Sequence, residues 1–109
     1  MGENPRAHFQ AELDRLERQG LGALDMVATA VDRAVESVVH QDVELASMVI
    51  ADDDRIDGRY LEVHQGILSL LALQAPVATD LRVVAALLHV IKHAERMGDQ
   101  SVNIAKLVP

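Results

Sequence analysis

Apolar and small residues recur along the first part of the chain at alternating steps of three and four, the spacing of one face of an α-helix. This first stripe consists of Phe9, Leu13, Leu16, Gly20, Ala23, Val27, Val31, Ala34 and Val38. Pro5 before it suits the first turn of a helix. Gln41 and Asp42 interrupt the stripe, and Asp42 suits the N-cap of a following helix. The pattern predicts a first helix over residues 5–40.

Two further stripes of the same kind follow. The second consists of Leu45, Val49, Ile56, Tyr60, Val63, Ile67 and Leu70. Pro76 is expected to end this helix near Gln74. The third stripe consists of Val77, Leu81, Val84, Leu88, Ile91, Glu95, Gly98, Val102 and Ala105. Thr79 is a candidate N-cap for the third helix.

The connections between the three predicted helices are short, which favours antiparallel neighbours. The sequence therefore predicts an all-α fold, an antiparallel bundle of three long helices over residues 5–40, 42–74 and 77–107. We expect one domain over residues 1–109. A broad apolar face on long helices often packs against a further subunit, so we also expect a homo-oligomer.

Composition supports helices and narrows the function classes. Half of the residues are apolar but only 2% are aromatic, and this aliphatic composition favours helices over sheets. The formal net charge of −7 argues against nucleic-acid binding, which needs clustered lysine and arginine. The chain has no cysteine, so disulfides and thiolate metal sites are excluded.

Export and membrane insertion are not predicted. Residues 1–5 lack a basic stretch followed by an apolar core, as a signal peptide would have. The longest apolar runs, such as residues 67–73, are much shorter than a bilayer span. We therefore expect a cytoplasmic protein.

Carboxylates occupy positions where the pattern calls for apolar residues. Glu95 stands in the third stripe in place of Leu or Ile, and burying a carboxylate is costly unless a cation or donor meets it. Asp99 follows four residues later and shares its face. Asp53 and Asp57 form a similar pair on the second helix. Gly98, between Glu95 and Asp99, would leave room for an ion or a close helix.

A turn near Pro76 would bring the two pairs to one level. Asp53 and Asp99 are equally far from Pro76 in sequence, and so are Asp57 and Glu95. Four carboxylates in one layer need compensation, and oxygen-only ligands suit Mg²⁺, Ca²⁺, Mn²⁺ or ferric iron. The predicted metal ligands are Glu95, Asp99, Asp53 and Asp57.

Other interpretations of these acids stay open. Asp53 and Asp57 lie toward the edge of their stripe, where water can solvate them, and Asp52 is an alternative to Asp53. Three arginines are close enough in sequence to neutralise neighbouring acids: Arg55, Arg59 and Arg96. In this case the chain is a metal-free helical scaffold.

The sequence does not support a histidine metal site or a catalytic site. His89 and His93 have the i, i+4 spacing of a transition-metal pair, but helical periodicity turns them away from Glu95. No glutamate is followed three residues later by histidine, as di-iron carboxylate bundles require. The serines lie in helical runs without a visible catalytic triad. We therefore expect no enzymatic activity.

Three segments resemble the PhoU family. Residues 70–82, LLALQAPVATDLR, resemble a family segment that reads roughly LLALQQPVAxDLR. Residues 94–99, AERMGD, with NIA at 103–105, resemble its LERIGD…NIA segment. Residues 53–57 match a D-x-x-I-D element. The resemblance extends over nearly the whole chain.

The resemblance implies a helical bundle that represses phosphate-starvation signalling. Such proteins are thought to connect the ATPase of a phosphate ABC transporter with a sensor histidine kinase at the inner face of the membrane. The family's (E/D)-x-x-x-D motifs bind metal clusters in some members, and they fall here on Glu95 with Asp99 and on Asp53 with Asp57. The implied cofactor is a metal ion, with Fe, Zn, Mg and Mn as candidates. PhoU proteins usually contain two three-helix repeats, and this sequence shows one. It is therefore either a single-repeat member, in which a homodimer would rebuild the two-repeat arrangement, or a fragment of a two-repeat protein.

Overall fold

The computed structural model describes residues 5–73 and 77–108. Within them the chain forms three helices, α1 Pro5–Val39, α2 Val43–Leu73 and α3 Ala78–Ala105, and no strand. Each helix packs against the other two. The predicted all-α bundle is therefore confirmed, with helix ends within two residues of the expected positions. The predicted end of the second helix at Gln74 and the role given to Pro76 lie outside the described residues.

The chain reverses between α1 and α2 at residues 40–42. Gln41 has a φ of 53°, in the left-handed region that residues with a side chain seldom adopt. The backbone N–H of Asp42 donates to the carbonyl of Ser37 at 2.8 Å, which closes the end of α1. Asp42 Oδ1 accepts a hydrogen bond from the N–H of Leu45 at 3.0 Å. Asp42 is therefore the N-cap of α2, as predicted.

The start of α3 differs from the prediction. The N-cap is Val77 and not Thr79, and Asp80 Oδ2 accepts a hydrogen bond from the N–H of Val77 at 3.2 Å. Asp80 is buried and forms a two-bond ion pair with the guanidinium of Arg6. The hydrogen-bonded guanidinium holds the pKa of the Asp80 carboxyl below its ordinary value. This pair connects the starts of α1 and α3 at one end of the bundle.

The buried side chains become smaller from that end of the bundle to the other. Near the Arg6–Asp80 pair the buried side chains are mostly large: Phe9, Leu13, Leu16, Val63, Ile67, Leu70, Val84, Leu87 and Ile91. The middle layer contains Val27, Ala30, Ile56 and Ala94. The far layer is mostly alanine, with Ala34, Ala46, Val49 and Ala105. Because helix separation depends on the size of the side chains between the helices, small residues at the far end permit close helix packing there.

α3 is rotated relative to the stripe predicted for it. Ala94 and Ser101 are buried, whereas Glu95 is only half-buried at the edge of the core. Leu81, predicted to face the core, is 48% exposed. The small side chain of Ala94 packs in the layer around Ile56, and the longer Glu95 lies at the border of this layer. The prediction that Glu95 lies in the seam itself is corrected accordingly.

None of the helices within the described ranges combines the length and the apolar composition that crossing a bilayer requires.

Two glycines of α2 provide a matched test of the packing. A Cβ at Gly66 would lie 2.5 Å from Cδ2 of the buried Leu16, whereas no neighbouring atom of the described residues lies within 4 Å of that position at Gly58. We expect Gly66→Ala to lower the free energy of unfolding by about 1–3 kcal/mol through overpacking. Gly58→Ala should raise it by about 0.5–1 kcal/mol, because alanine is the better helix former. Urea denaturation measures both, and equal effects at the two positions would contradict this packing.

Candidate metal site

α2 and α3 come close together in the middle of the bundle at Gly98. A Cβ on Gly98 would lie 3.2 Å from Cγ2 of Ile56 and 3.6 Å from Oδ1 of Asp53. The missing side chain therefore lets α2 approach, and it brings the Asp53 carboxylate against α3. The expectation that Gly98 leaves room for a close helix is confirmed.

Three of the four predicted ligands converge at this approach. Asp53, Asp57 and Asp99 each offer a carboxylate oxygen, and the three oxygens lie within 4.8 Å of one another. Asp53 and Asp57 are half-buried and Asp99 is exposed. Two oxygens bound to one Ca²⁺ at about 2.3–2.6 Å are at most about 5 Å apart. The separation therefore fits an oxygen-liganded cation.

Of the three aspartates, Asp53 has a buried carboxylate oxygen, Oδ1, without a hydrogen-bond partner among the described residues. Burial raises the pKa of Asp53, the charges of Asp57 and Asp99 add to the effect, and the positive charge of Lys106 opposes it. A buried acceptor without a partner is unusual in proteins. This oxygen is the strongest sign that the site fits a cation.

Glu95 belongs to the same electrostatic site but lies at its edge. Burial raises the pKa of Glu95, and the charges of Asp57, Asp99 and Asp53 raise it further. Burial likewise raises the pKa of Asp57, with Asp99 adding to it. The structure thus brings all four predicted residues together, three at ligand distance from one another and Glu95 as a neighbouring charge.

The residues considered as substitutes or neutralising partners lie elsewhere. Asp52 faces α1, where its Oδ2 is 3.8 Å from Nη1 of Arg33, so it does not replace Asp53. Asp54 is exposed. None of the ion pairs found within residues 5–73 and 77–108 involves the four acids, so no lysine or arginine nitrogen of these ranges lies within 4.0 Å of their carboxylate oxygens. Neutralisation by the three arginines considered earlier is therefore not observed in these ranges.

His89 and His93 form a separate pair on the exposed side of α3. Their rings stack with centroids 6.4 Å apart and an interplanar angle of 20°. The group of three potential ligands found in the described part of the chain consists of aspartates and includes neither histidine. His64 stacks on Tyr60 with centroids 5.7 Å apart.

Comparison with known proteins assigns the chain to a family. The family model described as the PhoU domain matches residues 22–108, a range that contains all four acids of the site. This chain belongs to the PhoU family. The match agrees with the resemblance carried by the three sequence segments.

Curated relatives of this PhoU chain include three named as accessory proteins of a phosphate-specific transport system. The PhoU homolog of Aquifex aeolicus is 36% identical over 95 residues, which cover 87% of this chain and 43% of the relative. The homolog of Clostridium acetobutylicum is 32% identical over 104 residues, covering 94% and 48%. PhoU homolog 1 of Mycobacterium leprae is 31% identical over 101 residues, covering 93% and 46%. The chain thus spans somewhat less than half the length of each of these relatives. No solved structure matches it.

The raised pKa values determine how stability depends on pH when no cation is bound. Asp53, Asp57 and Glu95 favour protonation more strongly in the folded chain than in the unfolded chain. The charged forms of these three acids destabilise the fold. This destabilisation is fully present above the raised pKa values and is lost as the pH falls through them toward the ordinary value of about 4. We expect the thermal midpoint of chelator-treated protein to rise as the pH falls through this window. The Asp80–Arg6 pair loses its contribution only below the ordinary aspartate pKa, outside the window.

Differential scanning calorimetry between about pH 7 and about pH 4.5 checks the expected rise. The double variant Asp53→Asn/Asp57→Asn should show a flatter profile. Glu62→Gln, at an exposed position on the same helix, should keep the profile of the unsubstituted chain. A midpoint that falls over this range in the unsubstituted chain would contradict the assignment of a destabilising cluster.

Proposed function

We propose that this PhoU-family chain is a regulatory module of phosphate uptake that binds a metal ion between α2 and α3. The observation that carries the metal part is the convergence of three carboxylate oxygens around the buried, unpartnered Oδ1 of Asp53. The regulatory part is supported by the relatives, which are named as accessory proteins of phosphate-specific transport. The proposed role is binding and not catalysis.

The donor set indicates the chemical class of the cation. Asp53, Asp57 and Asp99 would supply oxygen ligands, and Glu95 would add negative charge at the edge. Oxygen-only donors favour hard cations such as Ca²⁺, Mg²⁺, Mn²⁺ and ferric iron, whereas Zn²⁺ more often takes nitrogen or sulfur ligands. A cation here would offset the burial and the mutual repulsion that raise the pKa values of Asp53, Asp57 and Glu95. It would thereby link α2 to α3 and shift the balance between conformations that a partner distinguishes.

The proposed partners are the ATPase of a phosphate ABC transporter and a sensor histidine kinase. They would meet the chain in the cytoplasm at the inner face of the membrane. Support comes from the transport system in the relatives' names. Self-association is part of the proposal, because relatives about twice as long leave room for a second copy of this three-helix unit.

A calorimetric titration of metal-free protein with Mg²⁺, Mn²⁺, Zn²⁺ and iron tests the metal site. We expect the unsubstituted chain and Glu62→Gln to bind, and the triple variant Asp53→Asn/Asp57→Asn/Asp99→Asn to lose binding. At a free metal concentration of about 100 times Kd, binding should raise the free energy of unfolding by about 2.7 kcal/mol. Asp99 is exposed, which also suits a metal-free scaffold. A chelator that leaves both the midpoint and the oligomeric state unchanged would favour that scaffold.

The regulatory role is tested separately with purified partners. Immobilised chain should bind the transporter ATPase or the cytoplasmic part of the kinase in biolayer interferometry. Binding should weaken in the triple aspartate variant and persist in Glu62→Gln. Absence of binding to both partners by the metal-loaded chain would argue against phosphate regulation, whatever the titration shows.

A further inference from the structure

One side of the bundle, formed by α1 and α3 away from α2, carries a strip of nine apolar residues. Four of them pack partly against the core and the other five are exposed. On α3 its members recur every seven residues, which places them on one side of the helix: Val83, Val90, Met97 and Ile104. On α1 the adjoining members are Leu21, Leu24, Ala28, Val31 and Val35. Met97 and Val35 are each 48% exposed and Leu21 is 62% exposed. These residues define the α1–α3 face.

The α1–α3 face has the dimensions of an interface and not of a small-molecule site. A groove of about 480 Å³ lies along α3 beside Val31 of α1. It is lined by Met97 and Ile104 and also by polar side chains of α3: His93, Arg96, Gln100 and Ser101. From Val83 to Ile104 the face is about 32 Å long, and two helices side by side are about 20 Å wide. That gives about 600 Å² per copy, close to the roughly 800 Å² per partner of a standard interface.

The charged residues at the borders of the α1–α3 face indicate which partner binds it. The exposed acids Asp32 and Glu36 border the face on α1, whereas the exposed His93 and Arg96 border it on α3. α1 and α3 run in the same direction, because each is antiparallel to α2. A two-fold axis along the helices would therefore lay α1 of one copy over α3 of the other, with the acidic border opposite the basic one at both places.

We propose that the α1–α3 face is the surface through which two copies of this chain associate. The inference specifies the self-association within the proposed function, and it rests on the apolar residues and the border charges of this face and not on the metal site. The carboxylates lie between α2 and α3, so in the dimer they stay open to solvent on the opposite side of α3. Each copy would keep its own cation site.

Sedimentation equilibrium of the full chain tests the proposal with two matched double variants. Val35→Glu/Met97→Glu introduces charge into the α1–α3 face, and Leu61→Glu/Leu68→Glu does so at α2 positions of similar exposure, 52% each. We expect a dimer for the unsubstituted chain and for the α2 variant. The face variant should dissociate with Kd raised at least about a hundredfold while its circular dichroism stays helical. A monomeric unsubstituted chain, or loss of the dimer only in the α2 variant, would overturn the proposal.

Thiol labelling provides a second readout that does not depend on disruptive substitutions. Because the chain has no cysteine, Met97→Cys and Leu61→Cys each give a single reporter. Maleimide should label Cys at 97 at least about tenfold more slowly when the chain is concentrated than when it is dilute, with no such change at 61. Equal rates at both positions would overturn the proposal. The triple aspartate variant should still dimerise, so a failed metal site and a failed interface give different results.

Discussion

The contact between Ile56 and Gly98 sets the separation of α2 and α3 at the level where the acids lie. A Cβ at position 98 would lie 3.2 Å from Cγ2 of Ile56, so the Ile56 side chain would have to shift by a few tenths of an ångström to admit a larger residue. The same approach removes Asp53 from water and places it beside Asp57 and Asp99. Tight apolar packing and crowding of negative charge are therefore two results of one helix crossing. Protons or a cation are the means by which this crossing can be kept without an electrostatic penalty.

Much of this arrangement could be predicted from the sequence. The helices follow from the spacing of apolar residues, and Asp42 follows from the preference of N-caps for short polar side chains. The meeting of Asp53 with Asp99 follows from their equal distance from the turn, which holds for any antiparallel pair with a short connection. These inferences depend on chain geometry alone, so they do not need the details of packing.

The rotation of α3 could not be predicted in the same way. The predicted stripe does not include Ala94 and Ser101, whose small side chains give a weak hydrophobic signal, yet both are buried in the core. Ser101 fits there because its hydroxyl donates to the carbonyl of Gly98 at 2.6 Å, within its own helix. Asp80 was missed for a related reason, since burial of an acid depends on a distant partner, Arg6, that no local pattern shows.

The decreasing size of the buried side chains along the bundle also distributes local stability unevenly. Burying a leucine or phenylalanine side chain contributes about 1.5–3 kcal/mol, and an alanine methyl contributes much less. The alanine-rich end therefore opens in local fluctuations more readily than the end closed by Phe9 and the Arg6–Asp80 pair. The carboxylates lie between the two ends of the bundle, next to the end that opens more readily. Fraying that starts at the alanine end would reach Asp53 and Asp99 before it reached the leucine-rich core.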